Sequence, residues 1–282
     1  MTDAIKEVAV ERAGAHATHA MLDVLAVEQP LEIRVSWADG GGPRLATVAV
    51  TMRTPDNDDE LGAGFLFTEG IVRRRDQIAG IRSCRPGSIR VELAPGTPVD
   101  LARLERHAYT TSSCGLCGKT STSALRAVPS WSLPPNKPIV DDALIRSLPA
   151  SLRRAQSVFD ATGGLHASGL FDLDGRLVVL REDVGRHNAL DKVIGTELLA
   201  DRLPASERLL IVSGRVSFEL IQKALMAGIP LLAAIGAPSS LAVELAREAG
   251  MTLLGFVRAD RFNIYSSAER VRPRSRFLYR HR

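Results

Sequence analysis

The sequence predicts an α/β protein: a core with a mixed, partly parallel sheet, joined to a smaller β-rich N-terminal region of α+β character. Three observations carry this. Between residues 209 and 257, short runs that are apolar throughout, such as Leu209-Leu210-Ile211-Val212, alternate with stretches of helical period. Continuous apolar runs are the mark of strands buried on both faces, as in a parallel sheet covered by helices. Before residue 110 the chain instead shows alternating strands separated by turn residues, and residues 110–138 keep neither the strand nor the helix period.

The elements follow in order. Residues 31–37 and 45–53 flank Asp39-Gly40-Gly41-Gly42-Pro43, as the two strands of a hairpin would. Acidic and capping residues over 55–59 lead into a helix at Leu61-Gly62-Ala63-Gly64-Phe65-Leu66. Strands are predicted near Ile81 and over 89–93, around the turn Arg85-Pro86-Gly87-Ser88. After Asp141 comes a helix over 152–159, then a hairpin over 165–173 and 176–181 turning at Asp174-Gly175. Helices at 188–199, 218–227 and 241–249 alternate with strands at 209–212, 230–235 and 252–257. The predicted division is 1–22, a poorly defined extension; 23–109, the β-rich region; 110–140, a mobile cysteine loop; 141–268, the α/β core; and 269–282, a basic tail.

A chain of 282 residues, 45 % hydrophobic and 24 % charged, can bury a sizeable core without staples. The net charge of +4 is uneven, because Arg270, Arg272, Arg274, Arg276, Arg280 and Arg282 crowd the end. The rest is near neutral, so no nucleic-acid surface is indicated, and the tail reads as a solvated end. Asp3, Lys6, Glu7, Glu11 and Arg12 interrupt any signal-like apolar run, and no apolar stretch reaches the roughly 18 residues of a membrane span. Three cysteines are too few for a disulfide framework and fit a reducing compartment. A cytoplasmic protein is expected.

Ligands of open α/β sheets bind outside the carboxyl ends of the parallel strands. The segments at those ends are Glu182-Asp183-Val184-Gly185-Arg186-His187, Ser213-Gly214-Arg215-Val216-Ser217, Gly236-Ala237-Pro238-Ser239-Ser240 and Arg258-Ala259-Asp260-Arg261. Ser217 or Ser239 could cap the following helices, whose N-termini favour phosphate, and Arg186, Arg215, Arg258 and Arg261 add bidentate donors. A phosphorylated, nucleotide-like ligand is the expectation. No Walker-type phosphate loop or dinucleotide turn accompanies these segments. His187 and Asp191, four apart, read as a simple helix contact rather than a catalytic pair.

The pair Cys114-Gly115-Leu116-Cys117-Gly118 admits several chemistries. A structural zinc site needs four ligands, and only Cys84 and His107 offer themselves, at irregular spacing. A thioredoxin-like dithiol would sit at a helix N-terminus, whereas glycines and Ser/Thr surround this pair. Inert cysteines favour apolar surroundings, the reading that suits Cys84 as a small core residue. A persulfide carrier needs reach and a thiolate, which the glycines and Lys119 favour. A zinc deaminase is excluded, because Ser168 stands where the catalytic Glu after His166 would be needed, and the cysteine pair lies upstream.

Beyond these readings, Thr110-Thr111-Ser112-Ser113-Cys114-Gly115-Leu116-Cys117-Gly118-Lys119 resembles the cysteine loop of the formate dehydrogenase accessory sulfurtransferases, the FdhD family. The segments 182–192 (EDVGRHNALDK), 213–224 (SGRVSFELIQKA), 227–230 with 237–245, and 255–266 (GFVRADRFNIYS) resemble it too. The resemblance implies a cytidine-deaminase-like three-layer core. It implies that Cys114 bears a persulfide, with Cys117 its partner, and that sulfur comes from a cysteine desulfurase. The acceptor would be the molybdenum bis(molybdopterin guanine dinucleotide) cofactor of formate dehydrogenase, bound as a client by Phe256, Val257, Arg258, Ala259, Asp260 and Arg261. No metal of the protein's own is implied, and Gly236 stands where the family is expected to show Ser. A homodimer would suit such a fold, although no heptad or apolar stripe marks its interface. The rival readings are a non-catalytic chaperone for the cofactor and a zinc-stabilised binding module.

Overall fold

The structure is a computed structural model that describes residues 3–100 and 131–273. Cys114, Cys117, His107 and the tail beyond residue 273 lie outside the described residues.

In chain order the N-terminal elements are β1 (Ile5–Ala13), β2 (Thr18–Ala26), β3 (Gln29–Asp39), β4 (Gly42–Arg53), α1 (Asp58–Thr68), β5 (Ile78–Arg85) and β6 (Ser88–Leu93). Then come β7 (Val140–Asp141), α2 (Asp142–Ala155), α3 (Ser157–Thr162), β8 (His166–Phe171), β9 (Leu177–Asp183) and α4 (Arg186–Leu199). The remainder is β10 (Leu209–Val212), α5 (Phe218–Met226), β11 (Leu231–Ala234), α6 (Ser240–Glu248), β12 (Thr252–Gly255), β13 (Asn263–Ser266) and β14 (Val271–Arg272). The class is the predicted one, α/β with sheets of mixed direction. Two compact units are interleaved along the chain: residues 3–100, 156–167 and 181–201 form the first, and 131–155, 168–180 and 202–273 the second.

In the first unit, β1 and β2 pair antiparallel from Ile5↔Ala26 to Ala13↔Thr18. The first residues are thus a hairpin rather than the extension expected. Lys6, Glu7, Glu11 and Arg12 all face solvent, so no buried face disclosed the strands in sequence. The predicted hairpin of β3 and β4 forms, and the Asp39 carboxylate accepts from the Gly41 amide (2.8 Å) and Arg44 Nε (3.0 Å) at its tip. The sheet order is β4-β3-β6-β5, with β3 and β6 parallel. Leu31, Ile33 and Val35 of β3 and Ile89 and Val91 of β6 are buried, and a Cβ on Gly62 of α1 would meet Ile89 and Val91, so α1 covers that face. α4 crosses α1 where glycine meets glycine. A methyl on Gly64 would collide with the Asp191 carbonyl, and one on Gly195 with the Glu60 carbonyl. Cys84, expected in the core, is exposed, because a bulge between Ser83 and Arg85 turns this edge-strand residue outward.

In the second unit the strand order is β13-β12-β11-β10-β8-β9. β10, β11 and β12 run parallel, and every residue of the three is buried, which is why they read as unbroken apolar runs. β8 and β13 flank them antiparallel. The helix predicted over 152–159 is two helices. α2 ends at Ala155, buried Gln156 adopts φ −82°, ψ 79°, and α3 starts afresh at Ser157.

Arg270 was expected in a solvated tail and is instead 2 % exposed. Its Nη1 donates to the Gly250 carbonyl (2.7 Å) and the Thr252 hydroxyl (3.3 Å), its Nη2 to the Pro134 carbonyl (2.7 Å) and its Nε to the Lys137 carbonyl (2.8 Å). Burial pushes its pKa below the usual arginine value. β14 pairs with β7 beside this clamp, and Arg272 reaches Asp141 at 3.5 Å.

Candidate functional site

The carboxyl ends of β10, β11 and β12 open into residues 213–217, 235–239 and 256–262 of the second unit, at the predicted places but starting one residue early after β11 and two after β12, whose strands end at Ala234 and Gly255. Backbone hydrogen bonds lace these loops together. The Val216 amide donates to Ala237 O (3.0 Å), Ser239 to Val216 O (2.9 Å), Gly236 to Gly214 O (3.2 Å) and Phe256 to Gly236 O (3.1 Å). A Cβ on Gly236 would lie 2.6 Å from Gly214 O and 2.8 Å from its carbonyl carbon. Glycine, where Ser was expected, therefore draws the first two loops into backbone contact. A Cβ on Gly255 would press on Pro238 and Tyr265, each at 2.9 Å.

Ser239 caps α6, its hydroxyl accepting from the Ala242 amide at 3.2 Å. Ser217 occupies the same position before α5 yet makes no side-chain cap bond, so its hydroxyl does not take up the amides of that first turn. Phe256 holds φ 52°, a left-handed conformation rare for a bulky residue, and the residue is 42 % exposed. Arg258 folds over the same loop. Its amide donates to Arg261 O (2.8 Å), and its Nη1 to Ile235 O and Val257 O (both 2.8 Å). That leaves Nε and Nη2 without a partner among the described residues. Arg261 pairs with Asp260 at 2.9 Å on the surface, Val257 is buried, and Arg215 is exposed. The arrangement offers an exposed aromatic face, an anchored guanidinium and a helix N-terminus, the groups that suit a base and its phosphates.

The fourth predicted segment, 182–187, lies in the first unit and builds something different. Asp183 is wholly buried and accepts from Lys192 Nζ (2.7 Å), the Gly185 amide (2.8 Å), Asn188 Nδ2 (3.1 Å) and the Thr54 amide (3.2 Å). Lys192 also donates to Thr54 O (2.9 Å), and Asn188 to Met52 O (2.7 Å). The Thr54 hydroxyl accepts from the Val184 amide (3.1 Å), and that of Thr51 donates to Asn188 Oδ1 (3.2 Å). The end of β4 is thereby pinned to the start of α4. Glu182 accepts from the Val158 and Phe159 amides (3.0 and 2.8 Å) at the start of α3. Asp191 is 2 % exposed and its Oδ1 accepts from the Thr68 hydroxyl at 2.8 Å, so the carboxylate is closed off from solvent.

Sequence reasoning missed Thr54, Asn188 and Lys192 as a unit. Asn188 and Lys192, one turn apart on a helix otherwise rich in apolar residues, are the signal that could have found two of them. Among the described residues, no cluster of three or more His, Cys, Asp or Glu could hold a metal ion, and no helix is long and apolar enough to cross a membrane.

These features define an α/β protein whose parallel strands end in loops rich in glycine, serine and arginine, with a Cys-x-x-Cys motif in its sequence. The chain belongs to the FdhD/NarQ family, whose model matches residues 26–272. It is 52 % identical over 258 residues to a sulfur carrier protein FdhD of Mycolicibacterium paratuberculosis, covering 88 % of this chain and 92 % of that one. It is 49 % identical over 263 residues to the sulfur carrier protein FdhD of Streptomyces avermitilis, covering 90 % of each. Its fold matches the crystal structure of a Desulfotalea psychrophila protein described as a formate dehydrogenase accessory protein. The TM-score there is 0.74 at 26 % identity, over 95 % of this chain and all of that one.

Proposed function

We propose that this chain is a sulfur carrier serving formate dehydrogenase, with Cys114 as the carrying atom's anchor and the strand edge of the second unit as the seat of the acceptor. The observation that carries the reading is similarity over nearly the whole chain to proteins named as sulfur carriers, together with the Cys114–Cys117 motif. In the first step the Cys114 thiolate attacks the terminal sulfur of a cysteine desulfurase persulfide. The donor's S–S bond breaks, the donor leaves as its thiolate, and Cys114 holds a persulfide. Cys117 is placed by sequence to attack the inner sulfur, form a disulfide with Cys114 and release the outer sulfur as hydrosulfide to the acceptor.

The acceptor on this reading is the molybdenum bis(molybdopterin guanine dinucleotide) cofactor, a client rather than a resident group. Phe256 would stack on the guanine, and Arg258 would meet phosphate with its remaining donors. Val257, Ala259 and the Asp260–Arg261 pair would shape the loop around it. The amides at the start of α5 add a second anion-favouring end.

The test is incubation with a cysteine desulfurase and cysteine, followed by intact mass under non-reducing conditions. One added sulfur atom on the wild type, absent in Cys114→Ala, is expected. No adduct, or the same yield in the variant, refutes the carrier reading. Survival of formate dehydrogenase activity with Cys114→Ala would favour a cofactor-holding chaperone instead.

A further inference from the structure

We propose that the open face of the four-stranded sheet in the first unit is a docking surface for another protein, presenting an acidic segment with apolar neighbours. The inference rests on that unit alone and not on the sulfur-carrier reading.

Strand register places arginine opposite arginine across three strands: Arg34 of β3 lies against Arg90 of β6, and Arg90 against Arg82 of β5. All three point away from the face that α1 covers, because Ile33, Val35, Ile89 and Val91 alternate with them and are buried. Like charges placed directly opposite one another destabilise a sheet, so such a row opposes folding unless something else uses it.

The carboxylates on this face do not neutralise it. Glu92 is shared by Arg90 (3.0 Å) and Arg82 (3.2 Å). Glu32 is held by Thr47 (2.8 Å), Arg85 (2.9 Å) and Ser88 (3.1 Å). Three guanidiniums thus share two carboxylates. Arg34 has neither hydrogen bond nor ion pair among the described residues, and the Nε atoms of Arg34 and Arg90 are shielded from solvent without an acceptor. Arg82 and Arg85 remain 68 % and 69 % exposed.

The edge strand beside this row supplies an apolar shoulder. Val50 lies opposite Glu32, Leu45 opposite Ser36 and Met52 opposite Pro30, so all three share the arginine face. They are 46 %, 46 % and 42 % exposed. Exposed apolar residues rimmed by polar ones, with arginine enriched, are the composition of protein interfaces. A nucleic acid has no use for the shoulder and finds no aromatic among these side chains to stack on. A second copy would set arginine against arginine. The chain's own segments outside the described residues are basic: Arg103, Arg106, Lys119 and Arg126 accompany Glu105 in one, and arginines fill the other. The acid must come from elsewhere.

The experiment uses the full chain and a fluorescein-labelled nonapeptide of alternating Glu and Val, read by anisotropy at low and physiological salt. Its controls are the Lys-for-Glu peptide and a single-stranded oligonucleotide of equal length. Binding of the acidic peptide alone is expected, weakened by salt and at least about tenfold by Arg82→Glu with Arg85→Glu, since like-charge juxtaposition is worth several kcal/mol. Both side chains are exposed, so the variant is expected to keep its fold, checked by its circular dichroism spectrum; Arg82→Gln, and separately Val50→Ser with Leu45→Ser, should each weaken binding by a smaller factor. No binding to the wild type overturns the proposal. So does equal binding to the charge-reversed variant, or preference for the oligonucleotide.

Discussion

Replacing Lys192 with methionine keeps much of the side chain's length and deletes its charge. The Lys192 and Asp183 side chains are 1 % and 0 % exposed and 2.7 Å apart, so the substitution strips a buried carboxylate of its neighbouring cation. Removing one partner of a buried pair destabilises by about 3–5 kcal/mol. The lower end is expected, because the Gly185 and Thr54 amides and Asn188 still donate to Asp183. The natural reporter is Trp37 of β3, isolated by Trp131→Phe, since the chain has two tryptophans and the other belongs to the second unit. With a urea slope of about 1–3 kcal/mol/M, a loss of about 3 kcal/mol lowers the midpoint by about 1–3 M. Asp183→Asn combined with Lys192→Met should cost less than the sum of the two, by a coupling of about 1–3 kcal/mol. A single-variant loss under about 1 kcal/mol, or strict additivity, would refute the role given to this pair.

Gly195→Ala, whose methyl would strike the Glu60 carbonyl, should destabilise the first unit by at least the roughly 1–3 kcal/mol of overpacking, measured in the same urea assay. Glu32 is held below the usual carboxylate range, first by the Thr47 hydroxyl and then by Arg85, against burial. Its folded pKa is the lower one, so its contribution is complete above the ordinary glutamate value near 4.5 and is lost as pH falls through the folded pKa. Glu32→Gln should therefore flatten the acid limb of a stability–pH curve while leaving its slope above pH 6 unchanged. Phe256→Ala should weaken binding of guanosine diphosphate, used as a probe and read by calorimetry, by the roughly 1–3 kcal/mol of a stacked base. Arg270→Met leaves four acceptors without their donor and should lower the melting temperature of the second unit, followed by the fluorescence of Trp131.

What could be read from sequence was local or periodic. Leu209-Leu210-Ile211-Val212 announces a strand buried on both faces, and Asp39-Gly40-Gly41-Gly42-Pro43 a hairpin, because each signal sits within a few residues. The strand-end loops followed from those strands, and with them the position of Arg258; Phe256, expected in the strand over 252–257, lies beyond it because the strand ends at Gly255. Phe256's left-handed backbone has no marker in sequence, since aromatic residues seldom adopt it. The Asp183 cluster was hidden because Thr54 lies 129 residues from its partner, and a polar residue does not declare whether it is solvated or buried. Arg270 shows the same ambiguity. Among five later arginines it looked like part of a charged end, and only the carbonyls of Pro134, Lys137 and Gly250 make it interior.

The interleaving of the two units has a consequence for how the chain must be made. The first unit uses residues up to 201, and its central carboxylate arrives 129 residues after the backbone it binds. A ribosome delivering the chain in order leaves α1, seated on the four-stranded sheet, with its Gly64 face uncovered until α4 emerges. The second unit waits longer, because Arg270, which ties Pro134 and Lys137 to the sheet, is among the last described residues to appear. Neither unit can be cut out as one continuous stretch. Nascent chains stalled before residue 186 should stay protease-sensitive throughout, with protection of the first unit appearing only once residue 201 has cleared the exit tunnel.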